Sequence, residues 1–98
     1  MRAAKIDRNQ PEIVHVLRSM GCSVQHLHSV GQGCPDLLCA IHDINFLVEV
    51  KDGIQPPSKQ ALTPDQVDWH NQWRAPVHVV NSIYQAVELV KKLIGERE

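Results

Sequence analysis

The sequence predicts an α/β fold: a mixed central sheet flanked by helices, in the order α-β-β-β-α-β-α. Three observations predict it. Two apolar runs, residues 37–41 and 46–48, are joined by His42-Asp43-Ile44-Asn45, the pattern of a β-hairpin. Thr63-Pro64-Asp65-Gln66 carries the chemistry of a helix start: a threonine cap, proline in the first turn and a glutamine able to close a capping box. A further short apolar run, residues 76–80, follows that helix and so reaches the sheet by a crossover, which is usually right-handed when the strand joins in parallel.

The elements follow in order. Asn9-Gln10-Pro11-Glu12 starts a first helix over residues 8–20, with Ile13, Val14 and Leu17 as its apolar stripe and Gly21 as its C-cap. Residues 22–28 alternate imperfectly, with Val24 and Leu27 as the apolar members, and read as a strand. Gly31-Gln32-Gly33 is a turn, and residues 36–41 and 46–51 are the hairpin strands. Residues 52–61 hold Gly53, Pro56, Pro57 and Ser58 and read as an exposed loop. A second helix runs to about Trp73. A third begins with the cap-like Ser82-Ile83-Tyr84-Gln85, continues to Ile94 and stops at Gly95.

At 98 residues the chain is the size of one domain, spanning 1–98. Its apolar runs are far too short to cross a bilayer, and Met1-Arg2-Ala3-Ala4-Lys5 leads into no apolar signal segment. Three cysteines, an odd number, fit a reducing compartment better than a disulfide framework, so a cytoplasmic location is expected. The net charge of -1 argues against coating nucleic acid by electrostatics alone. It does not exclude a nuclease, because about two bound divalent cations would add roughly +4 at an acidic site.

The chemistry concentrates in Pro35-Asp36 and Glu49-Val50-Lys51. On an extended strand Glu49 and Lys51 share one face, while Val48 and Val50 share the other. If Ile41 pairs with Phe46 across a four-residue loop, Asp36 lies opposite Lys51 on the Glu49 face, whereas a slip of one residue puts it on the wrong face. The duller reading makes Glu49 and Lys51 solvated edge residues with Asp36 in a turn. Against it, Leu47, Leu38 and Ala40 share that face and partly bury it, so unpaired charge there is costly and a divalent cation would relieve the cost.

The Pro-Asp, spacer, Glu-x-Lys pattern resembles the PD-(D/E)xK nuclease superfamily. Its surroundings narrow the resemblance to the VRR-NUC family (virus-type replication-repair nucleases) over about residues 7–80. Asp7-Arg8-Asn9-Gln10-Pro11-Glu12 looks like that domain's start, Gly31-Gln32-Gly33-Cys34-Pro35-Asp36-Leu37 like its acidic loop, and Leu62-Thr63-Pro64-Asp65-Gln66-Val67-Asp68-Trp69-His70 like its glutamine-bearing helix. The resemblance implies a restriction-endonuclease-like core and a small standalone member, in a bacterial cell or a phage-infected host. It implies that Asp36, Glu49 and the Val50 carbonyl ligate Mg²⁺ or Mn²⁺. Lys51 would orient or deprotonate water or stabilise the transition state, Glu12 would bind a second ion or its waters, and Gln66 would position phosphate or water. Glu12 has a competing role at the helix dipole, and Gln66 in the capping box with Thr63.

The expected activity is metal-dependent, structure-selective hydrolysis of DNA, with branched DNA such as a Holliday junction as substrate and a homodimer to cut two strands. The alternatives are a nuclease for flaps or single strands using the same site, and a non-catalytic DNA-binding module. Cys22, His26, His28 and Cys34 match no common zinc spacing, and Cys34 and Cys39 read as small apolar residues. Trp69 and Trp73, four apart, form one helix face, read first as core packing and second as a dimer interface. His70 reads as a packing or surface residue. Arg2, Lys5, Arg8, Lys59 and Arg74 are candidate phosphate contacts.

Overall fold

The computed structural model describes residues 6–97; Arg2 and Lys5 lie outside the described residues. The elements are α1 (Gln10–Ser19), β1 (Ser23–His26), β2 (Leu37–Ile41), β3 (Ile44–Val50), α2 (Pro57–Gln60), α3 (Pro64–Gln72), β4 (Val77–Val80) and α4 (Ile83–Arg97). The expected order holds, with one short helix added. That helix, α2, lies in the segment expected to be loop. Its single turn begins on Pro57, and proline is tolerated there because a first-turn N–H has no partner in the helix.

The sheet runs β1-β2-β3-β4, antiparallel at the first two junctions and parallel at the third, so it is mixed as expected. Its inner face carries Leu37, Cys39 and Ile41 from β2 and Phe46, Val48 and Val50 from β3. These pack against Ile13, Val14 and Leu17 of α1 and Ala86 and Val90 of α4. Strand β3 is buried from Phe46 to Val50, so its second face is covered as well. The cover there is α3, whose Gln66 bonds to Glu49 and whose Trp69 lines a groove together with Leu47.

The hairpin register differs from the expected one. Ile41 pairs with Ile44, and Leu37 pairs with Val48. The loop is therefore two residues, His42 and Asp43, both at positive φ (48° and 66°). Such a turn matches the right-handed twist of the flanking strands, so Ile44 and Asn45 join the ladder. The shift is by two residues, and a side-chain period of two preserves the face. Continuing the ladder by one residue sets Asp36 across from Glu49 rather than Lys51.

Two other boundaries move. Gly95 lies inside α4 instead of ending it; a helical glycine costs about 1 kcal/mol relative to alanine and need not stop a helix. Only residues 23–26 of the expected first strand pair as β1. Among the described residues no helix is long and apolar enough to cross a membrane.

Candidate active site

Asp36, Glu49, Lys51 and Gln66 converge on the α3 side of the sheet. Glu49 is 2% exposed and Lys51 8% exposed. The Val50 N–H donates to Asp36 Oδ2 at 2.8 Å, which ties the end of the acidic loop to the end of β3. For Val50 the structure thus shows the N–H engaged with Asp36, while the expected ligand was its carbonyl. Lys51 begins the segment after β3, and its own N–H donates to the Val80 carbonyl at 2.9 Å.

Gln66 joins the cluster into one network. Its Oε1 accepts from Lys51 Nζ at 2.7 Å and from the Thr63 N–H at 2.9 Å. Its Nε2 donates to Glu49 Oε2 at 3.1 Å, and its own N–H donates to Thr63 Oγ1 at 3.2 Å. The two competing roles for Gln66 therefore coexist: the capping box is closed, and the same amide reaches the lysine and the glutamate. One turn further along α3, His70 Nε2 lies 3.6 Å from Glu49 Oε1.

The electrostatics follow from this crowding. Burial, then hydrogen bonding to Asp36 and its charge, push the Glu49 carboxyl up to about 9, against the pull of Lys51. Asp7 adds a smaller upward push. Burial, then the charge of Lys51, hold the His70 imidazole below its ordinary range. Cys34 lies close enough that Glu49 and Asp36 raise its thiol, after the larger effect of burial.

The loop that carries Asp36 is seated on α3. Gly33 has φ +85°, and a Cβ built there would lie 2.2 Å from the Asp65 carbonyl oxygen. Only a glycine allows that backbone-to-backbone approach, which fixes the start of α3 against residues 33–36.

Glu12 does not join the cluster. The buried stripe of α1 is Gln10, Ile13, Val14 and Leu17, and Glu12 lies about 200° around the helix from Gln10, on the exposed side. It lines a separate hollow with Asn9, Asp52, Asn81 and Tyr84. Arg8 does not stand free for phosphate either: its guanidinium pairs with Asp52 through two contacts of 3.1 Å. The Ile54 N–H first, and Arg8 after it, hold Asp52 below the usual carboxylate range. Lys59 and Arg74 are exposed. The tryptophans are not core residues: Trp69 and Trp73 stack with ring centroids 4.7 Å apart, and Trp73 is 50% exposed. Helix α3 ends at Gln72, leaving Trp73 beyond it, beside an apolar groove that includes Leu38 and Leu47.

Sequence reasoning missed Asn9 and passed over His70. Asn9 is buried and donates to the carbonyls of Lys51 (3.0 Å) and Asn81 (3.1 Å), holding the start of α1 against the chain that leaves β3. A buried polar residue ahead of an apolar stripe leaves no periodic signal. His70 did leave one: it lies four residues after Gln66, on the same helix face.

Among the described residues, no three histidine, cysteine, aspartate or glutamate side chains gather as a metal cluster. No family model and no curated protein matches the chain. A solved structure described as a VRR_NUC domain does match, with a TM-score of 0.65 and 31% sequence identity, over 86% of this chain and 91% of that one. Shared architecture and identity across most of both chains place this protein in the VRR-NUC family.

Proposed function

We propose that the protein is a Mg²⁺- or Mn²⁺-dependent endonuclease that hydrolyses phosphodiester bonds in DNA, with branched DNA as its substrate. The observation that carries this reading is the half-buried Asp36 facing the buried Glu49, with Glu49 linked to buried Lys51 through Gln66. Family membership supports it.

The donor set fits a hard divalent ion. Its oxygens are carboxylates, Glu49 Oε1 is buried without a hydrogen-bond partner, and two carboxyls so close resist ionising together without a cation. Asp36 and Glu49 would hold the ion, with the Val50 carbonyl as a further ligand. When bound, it supplies Lewis acidity toward the phosphate and lowers the pKa of water. Lys51 orients the attacking water and offsets negative charge at phosphorus. Gln66 keeps the ammonium of Lys51 and the carboxylate of Glu49 in fixed relation. Glu12, on the exposed side of α1, is left out of this proposed set.

Cutting two strands of a junction calls for two sites, which a C2 homodimer supplies. The stacked Trp69–Trp73 pair, with Trp73 half exposed, supports that assembly as the face a second copy would cover. The test is cleavage of four-way junction, flap, single-stranded and linear duplex DNA with Mg²⁺, Mn²⁺ or Ca²⁺, by wild type and by Asp36→Ala, Glu49→Ala and Lys51→Ala. The expected result is junction cleavage with Mg²⁺ or Mn²⁺ that each substitution abolishes. Preferential cutting of flaps or single strands would move the substrate. No cleavage of any DNA with any ion would favour a binding module.

A further inference from the structure

Helix α3 presents two side chains, one turn apart, to the two oxygens of a single carboxylate. Gln66 Nε2 already donates to Glu49 Oε2 at 3.1 Å. His70 Nε2 faces Oε1 at 3.6 Å, beyond hydrogen-bond length. Both of those facing atoms are buried and without a partner, in side chains only 12% and 2% exposed. Two unpartnered buried polar atoms facing each other are costly unless something brings them into use. A small turn of the Glu49 carboxylate or the imidazole closes the distance.

We propose that His70 is a positioning residue for Glu49: its Nε2–H takes one lone pair of Oε1 as Gln66 takes one of Oε2, leaving the other pairs to a divalent ion and fixing the plane in which the carboxylate meets it. This rests on the reading above that Glu49 holds that ion. It requires the tautomer with hydrogen on Nε2. It also gives a purpose to α3, which contributes no buried residue to the core: the helix grips one carboxylate from both sides.

The test is calorimetric titration of Mn²⁺ and of Mg²⁺ into the full chain without DNA, for wild type, His70→Ala, His70→Gln and Glu49→Ala. Outer partners of metal ligands are commonly worth about 10–100-fold in affinity. His70→Ala is expected to weaken both ions by that order, and His70→Gln, whose amide N–H reaches the same oxygen, to recover most of the loss. If His70→Ala does not fold, His70→Leu, of similar bulk but with no donor, makes the same comparison with His70→Gln. Wild-type binding by His70→Ala would overturn the proposal, as would failure of His70→Gln to recover binding. Loss of Mn²⁺ binding with Mg²⁺ unchanged would overturn it differently, making the imidazole itself a ligand. Glu49→Ala separates the two readings: if it binds ions like wild type, the carboxylate site itself is wrong.

Discussion

Glu49 sets the energetics of the site, and its consequences can be measured without substrate. Its carboxyl ordinarily titrates near 4.5 and is pushed up to about 9 in the fold. Between those values the unfolded chain has released a proton that the folded chain keeps, so this group's contribution to stability is full below about pH 4.5 and is lost as pH rises toward 9. With chelator present, Glu49→Gln is expected to melt several degrees above wild type at about pH 8 and to lose much of the alkaline decline. Thermal melts across the pH range check both points; equal melting curves would mean that Glu49 is less strained than its burial implies. Gln66 allows a cleaner separation. Thr63→Ala removes half of the capping box and should cost about 1 kcal/mol of stability, and Gln66→Ala should cost more, because it also strips partners from buried Lys51 and Glu49. Only Gln66→Ala also releases Lys51 and Glu49, so only it should lower cleavage at least about tenfold. Chemical denaturation beside a cleavage assay distinguishes them. At this scale Asp36, Glu49 and Lys51 were legible from the Pro-Asp and Glu-x-Lys pattern and Gln66 from the family resemblance, whereas Glu12, named with them, lies apart in a separate hollow. Asn9 was not legible, because its contacts depend on how α1 docks, which no local pattern encodes, whereas the place of His70 one turn after Gln66 was readable but its approach to Glu49 depends on how α3 docks.

At the scale of elements, the sequence carried the order and type of nearly every segment through its caps, turns and apolar runs. The hairpin register was misjudged for a physical reason. His42 and Asp43 occupy a left-handed turn without the glycine that usually announces one, so nothing marked Ile44 as the first strand residue. The site survived the error because the slip was even. The same logic made α2 invisible, since one helical turn opened by proline looks like the loop around it. Gly33 is where element packing is most exposed to a single change. Gly33→Ala adds a Cβ that meets the Asp65 carbonyl and places alanine at positive φ. The expected result is a loss of about 1–3 kcal/mol, with cleavage falling more than stability alone predicts, because the Asp36 loop and the Gln66 helix are pushed apart. Melts and kinetics on the same preparation check this, and wild-type activity would show that the loop and helix move independently.

For the whole molecule, the two faces of the sheet are built differently. One is a hydrophobic core held by α1 and α4; the other is a thinner layer roofed by α3, in which the polar site lies beside an apolar groove with stacked indoles at its margin. Trp69→Ala with Trp73→Ala is expected to leave the fold intact, since neither ring belongs to the core, and to shift the proposed homodimer toward monomer by analytical ultracentrifugation. An unchanged sedimentation profile would place the interface elsewhere. The roof itself has a consequence for timing. Helix α3 buries no residue of its own and is fastened by its cap, by the Gly33 contact and by polar bonds into the site. Such a segment belongs to the low-stability end of a protein's opening hierarchy. The layer that holds the candidate site would therefore lift and reseat many times within the lifetime of one folded core, and any ligand held between Glu49 on the sheet and Gln66 on α3 would slow that breathing.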